Sequence, residues 1–314
     1  MELEISYLSE DKNGPISVKG FGSVLKLPEE YICSLFVKHG LVWFRGFSTD
    51  IRTFEKFSEL FTEDFLVYPQ KRDVRRAVSP SGTLKTVDLS PRFIPLHSEM
   101  AYLPEKLRPE VAWFYCKSAS SKSGATTVVD GRNLANMLRA SSKFSSLLIN
   151  DLRYEICWDG NLWSQFTGAA TLQELEEWIR VEDLSDNCHI DSNGNLILSK
   201  ISPVLTRSYF GLYPVFTNNI LHQNHREDRF KPIPFVDGKY ISAEGCAEWR
   251  EFAEYLTVEI YWQPMEFVML DNTRYMHGRR TPGQNRKIYA KFGKLGIPNS
   301  HSSEWNDLPS LEIA

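Results

Sequence analysis

The chain has 314 residues, a formal net charge of -4 and 42% hydrophobic residues, enough to fill one large domain with a full core. The charge is mild and forms no basic stripe, which excludes nucleic acid as the default partner. The 19 Phe, 13 Tyr and 8 Trp exclude a disordered chain. Met1 is followed by Glu2 and Glu4 rather than by a basic start and an apolar signal core. No run of about 18 apolar residues could span a bilayer, so no membrane partner and a cytoplasmic location are expected. Cys33, Cys116, Cys157, Cys188 and Cys246 are odd in number and never in CxxC spacing, as in a chain with reduced thiols.

Residues 1–26 alternate short apolar and polar stretches with Gly14, Gly20 and Gly22, a pattern of strands and turns. Leu27-Pro28-Glu29-Glu30 opens a helix that runs to about Lys38 and ends near Gly40. His39 is then a helix C-terminal residue. Leu41 to Phe47 predicts a buried strand. Ile51, Phe54, Phe57, Leu60 and Phe61 fall at helical spacing over 50–61. The polar, basic stretch 69–91 predicts a long loop beside the segment that follows it, either a lid or substrate-contacting loop or a plain surface excursion. Thr86, Val87 and Asp88 are its candidate substrate contacts.

Val111 to Cys116 and Thr126 to Val129 predict strands, and a helix follows through Leu134, Met137 and Leu138. Thr171-Leu172-Gln173-Glu174 has capping-box form and opens an amphipathic helix. Cys188-His189 is a loop pair without a ligand role. Asn193-Gly194 signals a hairpin, and 196–216 reads as strands broken by Pro203, Gly211 and Pro214. A helix is expected over 244–256. Strands 262–271 and 287–295 close the chain, with a loosely packed tail from Pro298. No linker or repeat divides it. Many short strands with helices inserted predict one mainly β domain over 1–314, a β-sandwich or jelly roll.

His97-Ser98-Glu99 is the first chemical signal. In an extended segment, residues two apart point to one side, so an imidazole and a carboxylate can meet one ion. Alone, such a pair arises often by chance. His277 is the best third ligand: it follows the apolar run Phe267-Val268-Met269-Leu270 and precedes Gly278, where a strand is expected to end in a turn. Two imidazoles and one carboxylate on one face of a metal leave the other face open, which suits a non-haem iron(II) centre. Thr126 opens a nearby strand, and Arg286 stands just before Ile288-Tyr289-Ala290. An inward arginine fork with a threonine hydroxyl suits a dicarboxylate.

Together these stretches resemble the taurine dioxygenase-like branch of the iron(II)/2-oxoglutarate dioxygenases. The first half of the likeness is His97 to Tyr102, Trp113 to Cys116 and Gly124-Ala125-Thr126. The second is Leu270-Asp271-Asn272, His277-Gly278-Arg279 and Arg286-Lys287-Ile288, with Val215 to Asn219 between them. The resemblance implies a double-stranded β-helix (jelly-roll, cupin-like) core. It implies iron(II) on His97, Glu99 and His277, 2-oxoglutarate on Thr126 and Arg286, and O2 as second cosubstrate. The products would be succinate, carbon dioxide and a substrate oxidised at an unactivated C–H bond by hydroxylation, desaturation or cyclisation.

Glu99, where Asp is commoner, resembles clavaminate synthase-like and amino-acid hydroxylase members. That implies a small-molecule substrate in specialised metabolism: an amino acid or derivative, free or carried as an aminoacyl group on a carrier protein. It speaks against halogenation, since halogenating relatives lack this carboxylate. Ala290 stands where many relatives carry a second Arg. A register slipped by one would put Lys287 and Lys291 in the two positions instead. Asn218, Asn219, Arg274 and Arg279 are candidate substrate contacts, although either arginine could instead pair with an acid as part of the structure. His222 and His225 read as a solvated loop, and His301 as inert. Two rival readings are a zinc hydrolase on the same ligands, which leaves Thr126 and Arg286 without a task, and a non-catalytic binding protein on a decayed oxygenase fold.

Overall fold

Two β layers dominate the computed structural model, which describes residues 2–67, 76–119, 123–145, 147–211, 213–223 and 233–297. The larger sheet runs in the order Glu4–Tyr7, Ile16–Lys19, Leu41–Arg45, Phe267–Asp271, Val111–Ser118, Lys287–Leu295, Thr62–Glu63, and Lys85–Thr86 also pairs with Lys287–Leu295. The smaller runs Val258–Ile260, Thr126–Asp130, Tyr275–Arg279, Ile94–His97. Strands Ile16–Lys19 and Leu41–Arg45 are parallel; the pairings that hold the central strands are antiparallel. The many short strands left a β-sandwich or a jelly roll open, and this is the jelly-roll core that the resemblance implied.

Strand alternation sends one set of side chains between the layers. Trp43, Phe114, Val128, Val268, Leu270, Ile288 and Phe292 meet there. The opposite set of the larger sheet packs with helices Glu29–His39 and Ile51–Glu59 through Phe36, Phe44, Phe54, Phe57 and Phe267. The Phe44 and Phe267 rings stack at 4.5 Å. The smaller sheet turns Val129 and Met276 outward onto helices Gly131–Ala140 and Ala243–Tyr255, where Leu134, Leu138 and Trp249 wait. Strands covered on both faces read as continuous apolar runs, which is why Leu41 to Phe44 and Phe267 to Leu270 were legible without alternation.

Local signals acted where expected. Helix Glu29–His39 closes on Gly40, whose φ of 65° is left-handed. Asp50 caps helix Ile51–Glu59 by accepting from the Thr53 N–H at 2.7 Å. Thr171 accepts from Glu174 N–H at 3.2 Å, and Glu174 reaches back one residue further than expected, to Ala170 N–H at 2.6 Å. Asn193-Gly194 turns the hairpin between Cys188–Ile190 and Leu196–Pro203, so Cys188 and His189 lie in a strand rather than a loop.

Other expectations are corrected. The strand expected over 262–271 starts only at Phe267, because Pro264 and Met265, the latter at φ 71°, make a turn. Asp151–Trp158 is a strand and Gly160–Thr167 a helix, although neither was anticipated. The alternation of buried Leu152, Tyr154 and Trp158 was the available signal. With Leu172–Val181 they build a satellite whose core takes in Met100, Leu103 and Leu107, so it packs on the chain just after Glu99. Part of the expected loop, 68–75, and the tail from Pro298 lie outside the described residues. The rest of that loop folds on itself, with Ala77 bridging to Lys85 and Lys85–Thr86 pairing with Ala290 and Tyr289. Among the described residues no helix is long and apolar enough to cross a membrane.

Candidate metal centre

Strands Ile94–His97 and Tyr275–Arg279 are antiparallel neighbours, and His277 sits directly opposite His97. His277 therefore lies mid-strand, not at the strand-ending turn that its sequence neighbours suggested. The turn comes earlier. Asp271 Oδ1 accepts the N–H groups of Thr273 and Arg274 at 2.8 and 3.2 Å and the Thr273 hydroxyl at 2.6 Å. The chain reverses there and a new strand starts at Tyr275. Gly278 lets the two histidine strands approach: a Cβ there would stand 2.6 Å from the Ile94 carbonyl oxygen and 2.8 Å from Thr127 Oγ1.

His97 ends its strand, and Glu99 lies in the turn that follows. Glu99 Oε2 is 3.8 Å from His97 Nε2 and 3.6 Å from His277 Nε2. One ligand atom from each of the three lies within 4.8 Å of the others, the one such group of three or more among the described residues. His97 Nδ1 is 2.9 Å from the Pro95 carbonyl oxygen, which places the ring proton on Nδ1 and presents the Nε2 lone pair. Phe114 packs on the His277 ring at 5.0 Å, and Glu99 is 4% exposed.

The donor set fits a divalent ion. Ligands about 2.1 Å from one ion stand roughly 3.0 to 3.4 Å apart, so a small inward movement of these side chains closes the shell. Two neutral nitrogens and one carboxylate suit iron(II) and leave further positions for other oxygen ligands.

Thr126 opens strand Thr126–Asp130 on the inner face. Its Oγ1 accepts from Arg286 Nη2 at 3.1 Å and from Trp262 Nε1 at 2.8 Å. Arg286 Nε donates to the Gly124 carbonyl at 2.7 Å. Gly124 has φ 72°, and a Cβ there would sit 2.9 Å from Arg286 Cδ, so the guanidinium could not lie as it does beside a larger residue. Burial, and secondarily the Arg279 charge, push the Arg286 pKa down to about 9. No carboxylate pairs with Arg286 among the described residues. A half-buried cation with no anion among the described residues, beside a hydroxyl, is a cradle for a carboxylate. Trp262 was missed as a member of this cradle because its indole reaches Thr126 only across the strand pairing. Lys287 is exposed, and Lys291 turns to the opposite face, donating to Ser58 Oγ at 3.1 Å over the Phe65 ring.

The proposed substrate contacts separate. Arg274 does not face an open site. It is 1% exposed and pairs with Asp130 at 2.7 Å, with its other donors on the carbonyls of Lys38 and Asn13 at 2.9 and 2.6 Å. Arg279 clasps the loop before His97 through the carbonyls of Asp88, Ser90 and Arg92. Asn218 is likewise spent: its Nδ2 donates to the Val204 carbonyl at 3.0 Å and its Oδ1 accepts from Ile220 N–H at 3.1 Å. Asn219 keeps a buried Oδ1 without a hydrogen-bond partner among the described residues. Val87 packs on the inner core, and Thr86 and Asp88 make local bonds with Arg76 and Ser90. His222 lies in helix Ile220–Gln223, while His225 and His301 fall outside the described residues.

Residues 19–290 match the model of the taurine catabolism dioxygenase TauD, TfdA family. A clavaminate synthase-like protein of Arabidopsis thaliana is 23% identical over 300 residues, covering 89% of each chain. PvcB, an Fe, α-ketoglutarate-dependent oxygenase from an isonitrile synthetic pathway, has the same fold at a TM-score of 0.59 and 16% identity, over 93% of this chain and 91% of its own. A taurine dioxygenase from Burkholderia xenovorans matches at a TM-score of 0.58 and 13% identity, over 96% and 98%. With the family model spanning most of its length, the chain belongs to the taurine catabolism dioxygenase TauD, TfdA family and is an oxidoreductase that works with iron(II), 2-oxoglutarate and O2.

Proposed function

We propose that His97, Glu99 and His277 hold the iron, that Thr126 and Arg286 hold the far carboxylate of 2-oxoglutarate, and that the substrate is an amino acid or derivative oxidised at an unactivated C–H bond. The observation that carries the reading is the convergence of three ligand atoms within 4.8 Å, drawn from two neighbouring strands and the turn after one of them. When bound, iron and cosubstrate supply the oxidising power, with 2-oxoglutarate leaving as succinate and carbon dioxide. The chain supplies placement. Arg286 and Thr126 orient the cosubstrate from its far end. Phe114, packed on the His277 ring at 5.0 Å, forms the dry side of the site, with Phe292 next to it in the inner core at 6.2 Å.

Among the substrate candidates, Asn219 is the one left to hold a polar substrate group, because its buried oxygen has no donor among the described residues. Specialised metabolism is supported by the names of two relatives, one clavaminate synthase-like and one from an isonitrile pathway. A free amino acid and an aminoacyl group on a carrier protein both fit this chemistry. A hydrolase would leave the Thr126–Arg286 cradle without a task.

The test is anaerobic addition of iron(II) and 2-oxoglutarate. A visible charge-transfer band is expected in the wild type and is lost in His97→Ala and Glu99→Ala; no band in the wild type sinks the reading. Succinate release across amino acids, free and carrier-bound, with product mass, then identifies the substrate. If amino acids release none while other metabolites do, the substrate class is wrong.

A further inference from the structure

Glu99 is held by a buried polar cluster that no part of the chemistry above uses. Asn272 grips both backbone groups of Glu99: its Oδ1 accepts the Glu99 N–H at 2.9 Å, and its Nδ2 donates to the Glu99 carbonyl at 2.9 Å. The same Nδ2 donates to the Pro109 carbonyl at 2.8 Å, and the Asn272 N–H donates to the Glu110 carbonyl at 2.8 Å. Ser98 Oγ donates to the Asn272 carbonyl at 2.9 Å. Arg108 Nη2 closes the ring, donating to Ser98 Oγ at 2.8 Å and to the Asn272 carbonyl at 3.0 Å. Ser98 and Asn272 are 0% exposed and Arg108 4%.

A cluster this buried is expensive to assemble. A guanidinium taken out of water costs several kcal/mol unless its surroundings repay it. Here it spends two hydrogen bonds on the hydroxyl and carbonyl that frame Glu99. The next residue shows what is being restrained. Met100 has φ 52°, a left-handed conformation that a non-glycine side chain adopts only under constraint. Without the cluster, the turn would relax and carry the Glu99 carboxylate away from the two imidazoles. The Asn272 carboxamide also ties the Glu99 turn to the segment that precedes strand Tyr275–Arg279. The cluster thereby couples the carboxylate to the strand that brings His277.

We propose that Asn272, Ser98 and Arg108 are positioning residues that hold the strained Glu99 turn in register with His97 and His277, and so set the affinity of the site for its metal. The inference rests on the reading of these three residues as metal ligands. Partners behind metal ligands change affinity by about ten- to a hundredfold when removed.

The test needs neither O2 nor 2-oxoglutarate: titration of the metal-free protein with Mn(II), following the signal of unbound Mn(II) by electron paramagnetic resonance. Asn272→Ala is expected to weaken Mn(II) at least about tenfold, Arg108→Met by a similar factor, and Ser98→Ala by a few-fold. Arg108→Lys, which keeps the charge and one donor, should fall between Arg108→Met and the wild type. Asp50→Ala removes a helix cap far from the site, and should lower the melting temperature without changing Mn(II) affinity. That control separates positioning from general loss of stability. If Asn272→Ala does not fold, Ser98→Ala and Arg108→Lys decide. Wild-type Mn(II) affinity in the folded variants overturns the clamp while leaving the metal centre intact. A wild type that binds no Mn(II) overturns the metal centre and the clamp with it.

Discussion

Arg286 lies half-buried near a second guanidinium, that of Arg279, and this like-charge proximity is unfavourable until an anion arrives. Arg279 donates to three loop carbonyls, whereas among the described residues Arg286 donates to Gly124 and Thr126 alone. Arg286→Ala should raise the 2-oxoglutarate needed for half-saturation by about 10- to 100-fold, the weight of a charge-assisted hydrogen-bond pair. Arg286→Lys recovers only part, because an ammonium lacks the fork. Titration of the anaerobic visible band reads both, and an unchanged midpoint in Arg286→Ala would remove Arg286 from the cosubstrate site. His39 shows a different effect of burial. Its Nδ1 faces the Gly14 carbonyl at 2.9 Å, and desolvation, the largest cause, pushes its pKa down to about 4 from an ordinary 6.5. The unfolded chain therefore binds this proton first. The contribution is fully present above pH 6.5 and is lost as pH falls from 6.5 towards 4. His39→Gln should flatten the loss of stability between pH 7 and 5 by on the order of 2 kcal/mol, read by urea unfolding at both pH values.

At the scale of elements, the site depends on how closely two short strands approach. His97 and His277 face each other in register, and the absent side chain of Gly278 makes room for the Ile94 carbonyl. Gly278→Ala should force the strands apart, cost about 1 to 3 kcal/mol of stability as overpacking does, and weaken Mn(II) binding. A melt and a metal titration on one preparation check it; full metal affinity would show that the strand spacing does not set the site. The strand Tyr275–Arg279 was illegible in sequence for a physical reason. All five residues are buried, Arg279 through bonds to loop carbonyls, so no alternation marks the element. The helices were legible because their ends carry their own chemistry, as Asp50, Thr171 and Gly40 show. Asp271, whose pKa burial raises to about 6, makes the turn that carries the chain from one sheet towards the other, and its role could not be read from an Asp-Asn-Thr string.

For the whole molecule, metal binding and folding are linked, because the three ligands converge only when both strands and the turn are in place. Mn(II) at about a hundred times its dissociation constant should stabilise the fold by about 2.7 kcal/mol, raising the melting temperature by roughly 4 °C, and a chelator should reverse it. A melt indifferent to metal would mean that no preformed site exists. The sequence by itself determined the mainly β class and the helix ends, since composition, capping and local alternation act within a few residues, while the candidate set His97, Glu99, His277, Thr126 and Arg286 was legible as a group only through its resemblance to a known family. Only the tertiary structure decided which charged groups face a site and which are structural. Arg274, Arg279 and Asn218 look as available as Arg286 in the sequence, yet each bonds to groups brought from elsewhere in the chain. Arg108, silent in the sequence, reaches the turn of Glu99 only when distant segments close on it. Hydrogen-bond partners in a β fold come from strands far apart in the chain, and a buried polar group takes its role from those partners.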